Sequence, residues 1–253
     1  MNTVIGFFTA AQAAGATNVA LGAVADQSIT VSSNARFILP QRMKARAGLA
    51  VCANLTAARI NAPSLRSFIL PQIYPGNVGA TVASPVEVAD WGTNGPVIQA
   101  NEELAIETSN NAGAAVVASA VLFLTDGNDP NPAGPYSTLV ATAAVTLVAG
   151  QWVFSQLVFD QVLPTGEYTV VGMRASCPNG LAARLVFPGQ TQWRPGCVTD
   201  NAYSGKQIRT PWTTGLAGVY GKFRNTAQPG VEVLGLVAGA QTLTCFLDLM
   251  KTG

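Results

Sequence analysis

The segment Ala100–Gly127, ANEELAIETSNNAGAAVVASAVLFLTDG, contains the pattern that decides the fold. Two apolar runs flank the polar turn SNNAG, and the second run is long and rich in Val, Ala and Leu. The alanines alone would suit a helix, but a polar turn set directly between two apolar runs is typical of an antiparallel hairpin. We therefore predict two strands here.

Segments of the same kind recur along the whole chain. Apolar runs of strand length alternate with clusters of Gly, Pro and Asn, and no long segment has the 3.6-residue period of a helix. The clearest runs are SITVSSNARFIL, GLAVCANLTAARI, QWVFSQLVF, EYTVVGMRAS and TLTCFLDLM. Many short strands at this spacing predict an all-β protein built from sandwiches or barrels.

The stretch DGNDPNPAGP, Asp126–Pro135, divides the chain into near-equal halves. Each half has about the length of one eight-stranded sandwich. We predict a first β-sandwich with an N-terminal arm at residues 1–126, a linker at residues 127–135 and a second β-sandwich at residues 136–253. The preferred architecture is two jelly-roll sandwiches in tandem, and the alternative is one larger β-sandwich with excursions.

The pentapeptide FILPQ occurs twice, at Phe37–Gln41 and at Phe68–Gln72. The flanking sequences differ, because RMKARAGLAVC follows the first copy and IYPGNVGATVA follows the second. A proline cannot donate a hydrogen bond to a ladder, so each apolar run ends there or lies at an edge. The pair is interpreted as a strand terminator used twice, and not as a duplication.

The surface of this chain must be poor in charge. Only 11% of its 253 residues are charged and 49% are hydrophobic, whereas about 25% are charged in an ordinary soluble domain. Such a surface is usual for a subunit that is largely buried against copies of itself. The alternative is a secreted all-β domain rich in small polar residues.

The charges are segregated along the sequence. Residues 27–85 carry six basic and no acidic residues, residues 86–172 carry nine acidic and no basic ones, and residues 173–253 carry eight basic and three acidic ones. These blocks favour complementary faces that meet head-to-tail between subunits, or a basic face toward nucleic acid or an anionic membrane. Strands from distant segments also interleave in Greek keys, which would cancel the blocks in space.

Two groups of candidate contact residues follow. The basic cluster is predicted to be an inner-facing or intersubunit patch: Arg42, Lys44, Arg46. A second group lies in loops of Gly, Pro and Arg that suit subunit contacts, QWRPGC and RTPWTTG: Trp193, Arg194, Trp212.

The sequence contains few of the residue patterns that catalytic and metal sites use. The chain has no histidine, which excludes Ser-His-Asp and Cys-His catalysis and imidazole metal sites. It has no C-x-x-C pair, so the sequence does not favour a structural zinc site. We predict no enzyme activity, no metal and no cofactor. The four cysteines allow three disulfide pairings, or buried free thiols in a reducing cytoplasm: Cys52, Cys177, Cys197, Cys245.

Three stretches together resemble a known family: ANEELAIETSNNAGAAVVASAVLFLTDG, LPTGEYTVVGMRAS with LAARLVFPGQTQWRPGC, and GVYGKFRNTAQPGVEVLGLVAGAQTLTCFLDLM. They are similar to the jelly-roll major capsid proteins of tailless icosahedral bacteriophages, especially the double jelly-roll type with an internal membrane. The resemblance implies homotrimers with a pseudo-hexagonal outline, strands upright to the shell and an N-terminal segment on its inner side.

The leading hypothesis is therefore a virion protein that self-assembles, as trimers, into an icosahedral shell around the genome. Its partners would be further copies of itself, other virion proteins such as a penton protein, and an internal membrane or packaged nucleic acid on the inner face. The N-terminus has no positively charged leader, so we expect synthesis in the host cytoplasm. The alternative function is a carbohydrate-binding or adhesive β-sandwich.

Overall fold

A computed structural model describes residues 2–67, 69–73, 88–127, 134–190, 192–200 and 219–253, without the side chain of Thr93. Strands and their connections make up these ranges, and the described residues contain no α-helix. The prediction of an all-β protein is confirmed.

The N-terminal sandwich comprises eleven strands, several of them only two residues long. They are β1 Asn2–Gln12, β2 Val19–Ala20, β3 Gly22–Ala23, β4 Thr30–Val31, β5 Phe37–Ile38, β6 Met43–Cys52, β7 Leu55–Asn61, β8 Ala89–Asp90, β9 Val97–Ile98, β10 Glu103–Asn110 and β11 Val116–Thr125. Two 3₁₀ turns cover Pro63–Leu65 and Gly92–Asn94. β10 and β11 are the two strands predicted from the opening segment.

The C-terminal sandwich comprises nine strands. They are β12 Ser137–Leu147, β13 Trp152–Gln156, β14 Val158–Phe159, β15 Glu167–Ser176, β16 Gly180–Val186, β17 Gly196–Asp200, β18 Gly221–Arg224, β19 Gly230–Gly235 and β20 Gly239–Lys251. In the described residues, the strands of each sandwich pair only within that sandwich. The exact boundaries of the predicted linker stay a prediction, since residues 128–133 lie outside the described ranges.

The order of the strands identifies each sandwich as a jelly roll. In that fold, eight strands numbered along the chain form one sheet in the order 1-8-3-6 and a second sheet in the order 2-7-4-5. The C-terminal sandwich has β12-β20-β15-β18 and β13-β19-β16-β17, and two residue pairs between β15 and β17 join the sheets. The N-terminal sandwich has β1-β11-β6 with β8 and β9, and β2-β10-β7.

The N-terminal sandwich completes its second sheet with a short extended segment rather than a named strand. Gln72 forms an antiparallel bridge with Arg59. The amide of Ile60 donates to the carbonyl of Pro71 at 2.9 Å, and the amide of Ile73 donates to Ala58 at 2.8 Å. This segment is the fifth strand of the roll. The chain is therefore two jelly-roll sandwiches in tandem, as predicted.

The two sandwiches also repeat each other in register. All six residue pairs of the β7–β10 ladder recur 125 positions later in the β16–β19 ladder, so that Arg59↔Glu107 corresponds to Arg184↔Glu232. The register shift at the end of each ladder recurs as well. It follows the pair Ser109↔Ala57 in the first ladder and the equivalent pair Leu234↔Ala182 in the second. A match of register and irregularity together indicates an internal duplication.

The duplication is visible in the sequence at a spacing that FILPQ does not reveal. Ala50–Arg59, AVCANLTAAR, and Ala175–Arg184, ASCPNGLAAR, share six of ten residues. The shared asparagines have the same function, because Asn54 at φ 54° and Asn179 at φ 60° both adopt the left-handed conformation, which Asn tolerates better than most residues. FILPQ itself is no part of this repeat.

The prediction of an N-terminal arm is wrong. Residues 2–12 form β1, which lies between β3 and β11 in the first sheet. The reason is the apolar character of both its faces: Ile5 and Phe7 are buried in the core of the N-terminal sandwich, whereas Val4 is buried in a cluster shared with the C-terminal sandwich. A strand that is buried on both faces reads as a continuous apolar run.

We predict that Gly196→Ala destabilises the C-terminal sandwich. A methyl group at Gly196 in β17 would lie 2.1 Å from the carbonyl oxygen of Ala183 and 2.6 Å from the Cα of Arg184. Such overlap with backbone forces β16 and β17 apart, at a cost of about 1–3 kcal/mol or more. Urea unfolding measures the change in free energy.

The matched control for Gly196→Ala is Gly113→Ala. No atom lies within 4 Å of the position that a Cβ at Gly113 would occupy, so the added methyl group should leave the free energy of unfolding within about 0.5 kcal/mol of wild type. Equal effects of the two substitutions would contradict the close approach of β16 and β17.

Candidate functional site at the junction of the sandwiches

The two sandwiches meet face to face. The outer face of the β1-β11-β6 sheet packs against the outer face of the β13-β19-β16 sheet, and one continuous apolar cluster includes residues from both. Gly6 in β1 permits the close approach, since a Cβ there would lie 2.6 Å from Cδ2 of Leu234 and 3.5 Å from the ring of Trp152. We call this contact between the sandwiches the junction.

A buried guanidinium lies at the centre of the junction. Arg184 is 2% exposed, and its Nε donates to Oε2 of Glu232 at 2.7 Å. Its Nη1 donates to the main-chain oxygen of Val4 at 2.9 Å and forms an ion pair with Asp26. The plane of Trp152 lies beneath the guanidinium, with its centroid 3.9 Å from Cζ. Four separate segments of the chain thus contact one side chain.

Asp26 remains ionised although it is buried. Burial raises the pKa of this carboxyl, but the positive charge of Arg184 and hydrogen bonds from Ser28 outweigh that effect, so the pKa lies below its ordinary value. The amide of Ser28 donates to Oδ1 at 2.7 Å. A charged Asp26 balances Arg184 from the N-terminal side, while Glu232 balances it from the C-terminal side.

Arg194, predicted as a subunit contact, belongs to this junction instead. The residue is 6% exposed, and its Nη1 donates to the carbonyl of Gln190 at 2.6 Å. Its main-chain oxygen accepts from the amide of Val4 at 2.9 Å, and its own amide donates to Oγ1 of Thr3 at 3.3 Å. These bonds tie the loop before β17 to β1 within the chain.

The structure separates the two tryptophans of the predicted contact group. Trp193 is half-buried and packs against the core of the N-terminal sandwich. Trp212 lies outside the described residues. A role of either residue in subunit contacts stays a prediction.

The predicted basic patch does not form one surface. Arg42 is exposed and Lys44 is half-buried, but Arg46 is 2% exposed. The physical reason is a β-bulge: Phe123 pairs with Ala47 and Leu124 pairs with Ala45, so Arg46 is the extra residue between them. Of this group, Arg42 and Lys44 are accessible to solvent, whereas Arg46 is not.

The charge blocks interleave within the chain where the described residues show ion pairs. Arg59, from the basic block, pairs with Glu107, from the acidic block, at 2.7 Å across β7 and β10. Lys222 and Glu167 approach to 3.5 Å across β15 and β18. The alternative that distant strands cancel the blocks therefore holds for these pairs, and fewer charges remain for contacts between subunits.

All four cysteines are buried free thiols. Burial raises the pKa of Cys177 to about 11, so this thiol stays protonated and unreactive at neutral pH. The described residues contain no cluster of three or more Cys, Asp or Glu side chains placed to hold a metal ion. No helix in the described ranges has the length and apolarity to cross a membrane.

The sequence analysis missed the three charged residues at the centre of the junction. Arg184 interrupts the apolar strand LAARLVF, and Glu232 interrupts VEVLGLV. A charge inside an apolar strand predicts a buried partner, since unpaired buried charges are costly. That signal could have identified Arg184 and Glu232, but the partner from a distant turn, Asp26, follows only from the way the sandwiches pack.

Comparisons with known proteins give little beyond this geometry. No protein-family model matches the chain, and no curated protein matches it. Among solved structures, the chain is similar to the major capsid protein P2 from bacteriophage PM2, with 9% identity, a TM-score of 0.26, and coverage of 100% of this chain and 99% of that chain. At this identity and TM-score the similarity carries no argument, and the fold assignment rests on strand order.

We predict that Arg184→Met destabilises the protein by about 3–5 kcal/mol, because Asp26 would be left buried without the cation that it pairs with, and Glu232 would keep only Arg194, whose Nε lies 3.9 Å from its Oε2. Differential scanning calorimetry and urea unfolding measure the loss. The matched control is Arg59→Met. Arg59 occupies the equivalent position, but its side chain is 28% exposed, so breaking its pair with Glu107 should cost about 0–1 kcal/mol. Equal losses for the two variants would contradict the central role of Arg184.

Proposed function

We propose that this chain is a structural virion protein, a major capsid protein whose copies assemble into a closed shell. The observation that carries the proposal is the duplicated jelly roll, in which two sandwiches of the same strand order share one buried junction. Jelly rolls occur in capsid proteins, lectins and cupins, so the fold alone is an analogy. The tandem arrangement and the low charge favour the shell.

The duplication suits assembly for a physical reason. A shell requires one surface to be recognised repeatedly in nearly the same geometry. A chain that contains two equivalent sandwiches already uses such a contact once, at its own junction. The 11% content of charged residues adds support, because a weakly charged surface costs little to desolvate.

The assembly that we propose is a homotrimer within an icosahedral shell. In each trimer six sandwiches would form a pseudo-hexagonal ring. Further partners would be other virion proteins such as a penton protein, together with packaged nucleic acid or an internal membrane on the inner face. Arg42 and Lys44 are proposed to face that polyanion.

The second candidate function, a carbohydrate-binding or adhesive module, needs aromatic rings exposed on one surface. The tryptophans in the described residues pack inside the protein and do not form such a surface. Trp152 lies against Arg184 and the shared cluster, and Trp91 and Trp193 pack against the N-terminal core. These contacts favour the structural role, although Trp212 lies outside the described ranges.

Purified protein is expected to form trimers or closed shells. Light scattering coupled to size-exclusion chromatography gives the mass, and negative-stain microscopy gives the outline. A chain that stays monomeric at micromolar concentration and binds glycans on an array would overturn the proposal in favour of the adhesive module.

We predict that the double variant Arg42→Ala/Lys44→Ala folds but loses particle yield or packaged nucleic acid, because it removes two positive charges from one strand end. Arg46 is left in place, since it is buried. Thermal unfolding checks the fold, and the absorbance ratio of purified particles at 260 and 280 nm measures nucleic acid.

Lys222→Ala/Arg224→Ala is the matched control for this variant. It removes two exposed basic residues with the same spacing on β18, and wild-type yield and content are expected. Wild-type behaviour of both double variants would rule out the basic patch.

A further inference from the structure

The chain contains two Asn-Gly pairs, Asn94-Gly95 and Asn179-Gly180. In such a pair the main-chain nitrogen of the glycine can attack the side-chain carbonyl carbon of the asparagine, because glycine has no Cβ that blocks the approach. The attack closes a five-membered ring and needs neither an enzyme nor a cofactor. The fold places the two pairs in different surroundings, and this difference decides which of them can react.

The first pair ends a turn between β8 and β9. Asn94 is the last residue of the 3₁₀ turn Gly92–Asn94 and is exposed to solvent. Within the described ranges, the side-chain amide of Asn94 makes no hydrogen bond, and the main-chain amide of Gly95 makes none either. The two groups that would react are therefore not held apart by other partners in this part of the structure.

The second pair is held by hydrogen bonds on both sides. The main-chain oxygen of Asn179 accepts from the amide of Leu236 at 2.8 Å and from the amide of Val237 at 3.3 Å. The amide of Gly180, which is the group that would attack, donates to the carbonyl of Cys177 at 3.0 Å. These bonds must open before the ring can close, so the fold protects this pair.

Packing explains the glycine of the exposed pair but not its asparagine. A Cβ at Gly95 would lie 1.6 Å from the carbonyl oxygen of Ala45, so no larger residue fits there. Asn54 and Asn179 adopt the left-handed conformation that favours asparagine, but Asn94 does not. Nothing in the described fold therefore requires an asparagine at position 94.

We propose that Asn94 is a site of spontaneous deamidation, whose product places a new negative charge beside the strand end that carries Arg42 and Lys44. The Gly95 nitrogen forms a bond to Cγ of Asn94, and the side-chain nitrogen leaves as ammonia, which gives a succinimide. One water molecule then opens the ring at either of its two carbonyls. The product at position 94 is an aspartate or an isoaspartate.

The new carboxylate would lie next to the start of β6. Val97, in the strand that follows the turn, lies opposite Lys44, and the amide of Ala45 donates to the carbonyl of Pro96 at 2.9 Å. The turn already carries the exposed Asp90. A second carboxylate there offsets the positive charge of the strand end. It also lowers the net charge of the chain from +1 to zero, since it adds one acidic residue to the 13 that oppose 14 basic ones.

The isoaspartate product would also disturb the turn. Its main chain runs through the former side chain, so one extra carbon atom is inserted before the peptide nitrogen of Gly95. Gly95 is buried against Ala45, with no room for an added carbon atom. We expect chains with isoaspartate to lose the hydrogen bond between Ala45 and Pro96 and to unfold at a lower temperature than wild type.

The reaction is tested by incubating the folded wild-type protein in heavy-oxygen water at neutral and at mildly alkaline pH. Peptide mapping by mass spectrometry then locates each exchange of NH₂ for OH, and the heavy oxygen marks conversion that occurred during the incubation. Conversion at Asn94 is expected to be roughly tenfold or more faster than at Asn179, where several hydrogen bonds must break first. The rate should rise with pH, because the attacking nitrogen must lose its proton.

Two controls separate the effect of the fold from that of the sequence. In urea the protecting hydrogen bonds are lost, so both pairs are expected to convert at similar rates. Asn94→Gln keeps the amide but disfavours ring closure, and it should remain unconverted while folding as wild type. A folded wild-type protein in which Asn94 stays intact, or converts no faster than Asn179, would overturn the proposal.

The position of the new charge is tested on heparin–agarose, a polyanion probe. Asn94→Asp reproduces the aspartate product without lengthening the main chain, and it is expected to elute at lower salt than wild type. Asn111→Asp is the matched control. It adds the same charge at an exposed turn before β11, whereas Lys44 pairs with Thr125 at the opposite end of that strand.

The added charge of the control is therefore roughly 30 Å from Lys44 along the strand, well beyond the screening length of about 10 Å, and wild-type elution is expected. Equal elution of the two variants would overturn the assignment of the charge to the Arg42 and Lys44 strand end. The reaction itself goes beyond the proposed function, since it requires only the folded chain. Deamidation in a protein that never assembles would refute the shell alone, and shells whose Asn94 stays intact would refute this inference alone.

Discussion

The architecture depends on one buried cation. Arg184 lies where the sheets of the two sandwiches face each other, and its charge is balanced by Asp26 from one sandwich and Glu232 from the other. Desolvating three charges costs several kcal/mol per ion, which their mutual attraction repays only in a good geometry. Apolar packing could hold two sheets together in several registers. A guanidinium that needs Val4, Asp26 and Glu232 at once accepts one register, so it fixes how the sandwiches are placed.

The equivalent pair in the N-terminal sandwich shows what burial changes. Arg59 and Glu107 have the same strand positions and the same 2.7 Å separation of charged atoms, but the arginine is partly exposed. Water screens this pair, which therefore contributes little to stability. The same two side chains thus form a buried structural centre in one sandwich and a partly exposed pair in the other, because the described residues cover only one of the two faces.

Local features of this protein were predictable from sequence, and relations between distant segments were not. The turn SNNAG and the alternation of β12 indicate strands, since turn chemistry and period-2 patterns act over a few residues. The burial of Arg46 depends on a bulge opposite Phe123, which no local pattern reveals. The repeat was accessible in AVCANLTAAR and ASCPNGLAAR, but its 125-residue spacing exceeds any window in which periodicity is sought. The tie of Arg194 to β1 appears only once the sandwiches pack.

A weakly charged chain can still provide the specificity that a shell requires. Long-range attraction between charge blocks would orient subunits from a distance but would weaken as salt rises. In the described residues Arg59 pairs with Glu107 and Lys222 pairs with Glu167 within the chain, and these pairs reduce the charge that is left for such steering. Recognition must then come from short-range fit, in which a face is accepted only where its volumes and its few charges match. A chain built from two equivalent sandwiches already contains one such fit, at its own junction.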